Sequence, residues 1–147
     1  MVLFGIFTII LKNMSKIIVA NWKLHPETLD EAIDLFKASS GAVVCPPFKF
    51  LEELSKIDSN VILGAQDIES GETFKQLGVK YVIIGHSDRR WKIGESDEIV
   101  NKKLKLALKW GIIPIVCIGE KVRDENFKDF LKSQVESTFA GLSRDEI

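Results

Sequence analysis

The chain has 147 residues, enough for one domain, and 46% of them are hydrophobic, ample for a packed core. A formal net charge of −1 argues against a nucleic-acid surface, which shows a basic excess. Two cysteines and two histidines (Cys45, Cys117, His25, His86) are scattered without metal-ligand spacing, so no metal or other cofactor is expected.

The chain opens on an apolar run, residues 1–11. That is too short for a bilayer span of about 20 residues. It also lacks the preceding basic region and following small-residue site of a secretory signal. Lys12 follows it, and Met14-Ser15-Lys16 stands just before a strand pattern. The expectation is a translation start at Met14, with 1–13 an apolar extension and 14–147 the domain. A short hydrophobic tail is the alternative.

Strand and helix patterns then alternate. Residues 17–20 predict a first strand. Leu29, Ile33 and Phe36, with Ala32, recur at helical spacing. Residues 42–45 predict a second strand, closed by Pro46-Pro47, and Phe48, Leu51 and Leu54 a short helix. Residues 61–65 predict a third strand, and Ser70 opens a short helix that ends at Gly78. Residues 81–84 predict the fourth strand, bounded by Gly85. Ser96 caps a helix with Asp97 and Glu98 in its first turn and Lys103, Lys105 and Lys109 later, an order that suits the helix dipole. Residues 112–118, interrupted by Pro114, predict the fifth strand, and Phe127, Leu131, Val135 and Phe139 the face of a last helix. Five β-α units with non-alternating apolar strands predict an α/β fold with a parallel sheet covered by helices. The pattern alone does not separate an open doubly wound sheet from part of a barrel.

Polar residues gather where the strands end. The first strand runs into Asn21-Trp22-Lys23, the third into Gln66-Asp67, the fourth into His86-Ser87-Asp88 and the fifth into Cys117-Ile118-Gly119-Glu120. In parallel α/β folds the site lies at the carboxyl ends of the strands. Each residue also has a plainer role: Lys23 as a solvated lysine, Gln66 as a partner for loop backbone, Glu120 as a salt-bridge partner of an arginine. His86 is harder to reduce to structure, because a strand delivers it into the polar packet Ser87-Asp88-Arg89-Arg90. His25 reads as a loop histidine, the cysteines as reduced core thiols of a cytosolic protein, and Trp22, Trp91 and Trp110 as packing residues.

From Lys16 onward the chain resembles the triosephosphate isomerase family. The resemblance is carried by Val19-Ala20-Asn21-Trp22-Lys23, Cys45-Pro46-Pro47, Gly64-Ala65-Gln66-Asp67, the stretch 78–90 ending in Gly85-His86-Ser87-Asp88-Arg89-Arg90, and Cys117-Ile118-Gly119-Glu120, in the family's order. It implies part of a (β/α)8 barrel in the cytoplasm, with a triose phosphate as small-molecule partner and neither nucleic acid nor membrane. It further implies the interconversion of dihydroxyacetone phosphate and glyceraldehyde 3-phosphate, a step of glycolysis and gluconeogenesis. By position, Asn21 and Lys23 would contact substrate. Lys23 would give positive charge to phosphate and developing oxyanion, and a neutral His86 would polarise the carbonyl. In the family that histidine has a lowered pKa, and the resemblance implies the same for His86. A helix N-terminus after Gly85 would disfavour the protonated ring. Gln66, Ser87, Asp88, Cys117 and Glu120 would support the site. Asp88 stands where the family usually has Glu and reaches one methylene less far toward Lys23.

Two family features are missing from these residues. Nothing resembles the Y-E-P-V-W strand motif that carries the glutamate base, so this chain alone is expected to be inactive. It would then be half of a split enzyme with a C-terminal complement chain, or a non-catalytic phosphate-binding remnant. The family is usually a homodimer interlocked by a long loop, but the segment between Asp67 and Ser70 is too short for that loop. The interlock should be weak or absent.

Overall fold

The structure is a computed structural model that describes residues 17–146. The expected apolar extension, 1–13, lies outside the described residues, as does the Met14 boundary.

Five strands form one parallel sheet: β1 (Val19–Asn21), β2 (Val43–Cys45), β3 (Ile62–Ala65), β4 (Tyr81–Ile84) and β5 (Ile113–Val116). Their spatial order is their chain order, and each strand lies beside its successor. A doubly wound sheet reverses strand order at a switch point. This sheet winds one way, as in a (β/α)8 barrel, and it is a partial barrel of five strands.

The helices between the strands are α1 (Leu29–Ala38), α2 (Leu51–Ser55), α3 (Gly71–Gln76), α4 (Asp97–Lys109) and α5 (Phe127–Thr138). The starts of α1, α3 and α4 follow from side chains that take over unpaired backbone N–H groups. Thr28 and Glu31 make a capping box on α1, Ser70 accepts from Thr73 N–H on α3, and Ser96 accepts from Ile99 N–H on α4. Gly71 opens α3 because Trp110 packs over it: a Cβ there would stand 2.0 Å from the indole.

Alternation along the strands sorts side chains onto two faces. Val44, Ala65, Val82 and Ile84, each 0% exposed, face the helices and join Phe36, Leu54, Val100 and Leu104 in the main core. Val43, Cys45 and Ile83 form a smaller cluster on the other face with Tyr81, Ile115 and Cys117. That inner face is less covered, with Ile113 46% and Ile62 38% exposed.

Two expected helix faces are corrected. Phe48 lies on a 3-10 turn, Phe48–Phe50, whose tighter winding turns Phe50 inward and leaves Phe48 71% exposed against Phe74. On α5 the buried positions are Gln134 and Thr138, while Val135 is 38% exposed. Gln134 goes inside because its Oε1 accepts the N–H of Gly119 at 2.8 Å. Pro114 costs the sheet no bond. Ile113 N–H and Cys117 N–H donate to Lys80 and Ile84 on the β4 side, so the missing N–H of Pro114 falls on the open side.

Candidate functional site

Because the strands are parallel, Asn21, Gln66, His86 and Cys117 emerge at one end of the sheet. Asn21 ends β1, and its Oδ1 accepts the backbone N–H of Lys23 at 2.9 Å. That turn puts Lys23 at φ 54°, a left-handed conformation that costs an L residue roughly 1–2 kcal/mol. Gln66 holds it there. Its Nε2 donates to the carbonyls of Lys23 at 2.8 Å and Cys45 at 3.0 Å. Gln66 therefore does satisfy loop backbone, and the backbone it satisfies is that of the lysine. With one Oδ1 lone pair engaged, the Nδ2 of Asn21 is left to donate to a ligand. The Lys23 side chain extends into solvent and pairs with Asp88 Oδ2 at 3.5 Å, so the shorter aspartate does reach it.

His86 follows the innermost stretch of β4. Gly85 turns the chain at φ 70°, and Ser87 and Asp88 begin a helical turn that runs on as one π-helical turn, Arg89–Ile93. The expected helix N-terminus is thus present but short. The N–H of Asp88 donates to His86 Nδ1 at 3.2 Å. Nδ1 is then the unprotonated nitrogen, and the ring carries its proton on Nε2. Burial lowers the pKa of His86 from its ordinary value; Asp88 opposes that, while Lys23 and Lys92 add to it. The ring is neutral at neutral pH, with one N–H to donate. Its Nδ1 also lies 3.5 Å from Asp88 Oδ2, the oxygen that pairs with Lys23, so the lysine and the ring are neighbours there, although the neutral ring makes no hydrogen bond to that oxygen. Lys92, at 2.7 Å, holds that carboxylate below its ordinary pKa, which makes Asp88 a weak base.

The other expected residues have quieter roles. Ser87 is half-buried on the turn after His86. Burial takes the Cys45 thiol to about 12 in the core, and burial also raises the half-buried Cys117 thiol, against an opposing pull from Arg90. Glu120 lies at the same end of the sheet, but its carboxylate is taken by Arg123 at 2.6 Å, and among the described residues nothing links it to Lys23 or His86. Trp91 packs against Phe130 with ring centres 6.2 Å apart.

Sequence reasoning did not single out the frame beneath the site. Asp67 binds Arg89 and also accepts from Lys103 at 2.6 and 2.7 Å, and Lys103 in turn pairs with Glu95. Two carboxylates and two cations thereby tie the end of β3 and the turn after His86 to α4. Arg89 was visible as part of the packet, but its partners lie far along the chain.

A family model described as triosephosphate isomerase matches residues 16–147. The triosephosphate isomerase of Thermoanaerobacter pseudethanolicus is 41% identical over 155 residues, covering 89% of this chain and 62% of the relative. That of Carboxydothermus hydrogenoformans is 36% identical over 153 residues, with 88% and 61% covered. That of Dictyoglomus thermophilum is 37% identical over 156 residues, with 90% and 63% covered. The chain thus spans a little under two thirds of the length of these relatives.

Proposed function

This chain belongs to the triosephosphate isomerase family, and from that premise we propose that it supplies the electrophilic half of a triose-phosphate isomerisation site. The reaction moves a proton between neighbouring carbons of dihydroxyacetone phosphate and glyceraldehyde 3-phosphate through an enediolate. A carbonyl oxygen gains charge on the way. His86 Nε2–H donates to that oxygen, and a neutral donor suits an atom whose charge is still developing. Lys23 adds positive charge for the phosphate and the same oxygen, and Asn21 Nδ2 completes the contact. The observation that carries this reading is the convergence of Lys23 and His86 on Asp88, with the imidazole proton directed to Nε2. The setting it implies is a cytoplasmic step of glycolysis and gluconeogenesis.

The base is outside residues 17–146 in this reading. Asp88 is held ionised by Lys92 and Glu120 is paired with Arg123, so neither is a good proton acceptor. A positioned base contributes about 10²–10⁴-fold, so the chain alone should show no turnover above background in a coupled isomerase assay. Adding the C-terminal part of the Thermoanaerobacter pseudethanolicus relative as a separate chain should restore turnover, bring the carboxylate base opposite His86, and raise the thermal midpoint by mass action. The complex with Lys23→Ala should assemble and stay inactive. Ordinary turnover by the chain alone, or a rescued Lys23→Ala complex as fast as the parent, refutes the assignment. Binding of the substrate with no rescue by any complement would leave a phosphate-binding module instead.

The family's interlocking loop has no room here, since residues 66–70 alone join β3 to α3. The groove beside them, about 380 Å3 between Phe48, Leu51, Ser70 and Phe74, stays open. A monomer by sedimentation is the expected result for this chain, and a tight homodimer would contradict it.

A further inference from the structure

Arg90 is the one arginine in the interior, 7% exposed, and a buried guanidinium persists only where its N–H groups find partners. It finds three, on three elements. Nε donates to the Gly85 carbonyl at 2.8 Å, at the end of β4. Nη2 donates to the Cys117 carbonyl at 3.2 Å, just past β5. Nη1 pairs with Asp97 in the first turn of α4. Both carbonyls lie beyond the ladder, whose last register pair is Ile84 with Val116. The guanidinium takes the place of ladder partners that neither has.

Gly85 directly precedes the histidine in the chain. Arg90 bonds the Gly85 carbonyl through its side chain, and its own backbone N–H donates to the carbonyl of His86 at 3.1 Å. Arg90 thus bonds the peptide groups on both sides of the His86 Cα, sharing the second with the backbone N–H of Arg89, which donates to the His86 carbonyl at 2.8 Å. Two fixed peptide planes fix the direction of the Cα–Cβ bond, and with it the place of the ring over the Asp88 N–H. Gly85 is shaped for this contact. A Cβ there would stand 2.8 Å from Arg90 Nη2 and 3.1 Å from both Arg90 Nε and Val100.

We propose that Arg90 is the positioning residue of His86, a clamp across β4, β5 and α4 that holds the imidazole with Nδ1 on the Asp88 N–H and Nε2–H toward the ligand. The functional consequence rests on the reading of His86 as the donor to substrate. The clamp itself does not, and its test involves no substrate.

The test uses the full chain labelled with 15N. There are two histidines, so His25→Gln assigns the signals of His86. In the parent, at a pH where the ring is neutral, the nitrogen shifts should report one tautomer, protonated at Nε2, and the Asp88 amide should exchange slowly. Arg90→Met removes the side-chain bonds. Arg90→Lys keeps a charge for Asp97 but cannot reach both carbonyls as well. Both should mix the tautomers and speed Asp88 exchange by about fivefold or more, the factor that corresponds to one lost hydrogen bond. Leu54→Ala, a core cavity away from this junction, should leave both signals in place. The proposal is overturned if Arg90→Lys keeps the parent tautomer and exchange rate. Failure of Arg90→Lys to fold overturns it too, since Arg90 would then hold the whole chain rather than the ring. So does a Leu54→Ala variant that moves the His86 signals equally.

Discussion

The ends of β4 and β1 carry the two groups of the candidate site, and they are built differently. β4 has a neighbour on each side, Ile84 beneath the histidine is 0% exposed, and the turn beyond it is tied down by the buried Arg90 and half-buried ion pairs. β1 is an edge strand. Val19 is 37% exposed, and Lys23 is a strained, solvated residue hung from the amide of Gln66. The imidazole must present one N–H in one direction, so it grows from the core. The lysine acts as a point charge on a flexible stem and tolerates a looser mount.

The largest test of that contrast is a pair of truncations. Ile84→Ala should cost about 2–5 kcal/mol, because the cavity forms where core and helices meet. Val19→Ala, at the part-exposed edge, should cost under about 1 kcal/mol. Equal losses in urea unfolding would break the comparison. Gly85→Ala comes next, at about 2 kcal/mol, from a left-handed backbone and the close approach of Arg90. It should also shift the nitrogen signals of His86.

Lys23→Gly sharpens the other side. Relief of the left-handed strain outweighs the extra freedom glycine has when unfolded, so stability should rise by up to about 1 kcal/mol while the rescued complex loses activity. A fall in the urea midpoint would show that Lys23 is not strained in the sense argued here.

The smallest effect concerns pH. The pKa of His86 is lowered by folding, so between that value and the ordinary 6.5 the unfolded chain binds more protons. Its contribution to stability is complete above about 6.5 and is lost as the pH falls through the window below. His86→Asn should flatten the decline of the thermal midpoint in that window. An unchanged slope would mean that the ring is no more desolvated than in the unfolded chain.

The contrast also explains what could be read from the residues alone. The run 81–84 was legible to the residue, because an apolar stretch ended by a glycine leaves little choice of register. The strand expected at 17–20 formed as Val19–Asn21, since at an exposed edge hydrophobicity marks the ladder poorly. Asn21, Lys23 and His86 were visible as polar residues after strands. Their braces were legible only in part: Gln66 was expected to satisfy loop backbone, but which backbone was hidden. Gln66 reaches 43 residues back to Lys23, and Arg90 reaches 27 residues forward to Cys117, distances at which no local pattern operates. The face of α5 was misjudged for the same reason: Gln134 is buried by an N–H on another loop, which hydrophobic spacing cannot register.

Pro114 has a consequence for whatever lies beside β5. Along the strand, alternate N–H groups point toward the open edge, and of the two that should do so, at positions 114 and 116, the first does not exist. An added strand would meet a single donor, at Val116. With half its edge donors gone, β5 pairs more weakly there, so the proline discourages casual stacking of sheet edges between molecules.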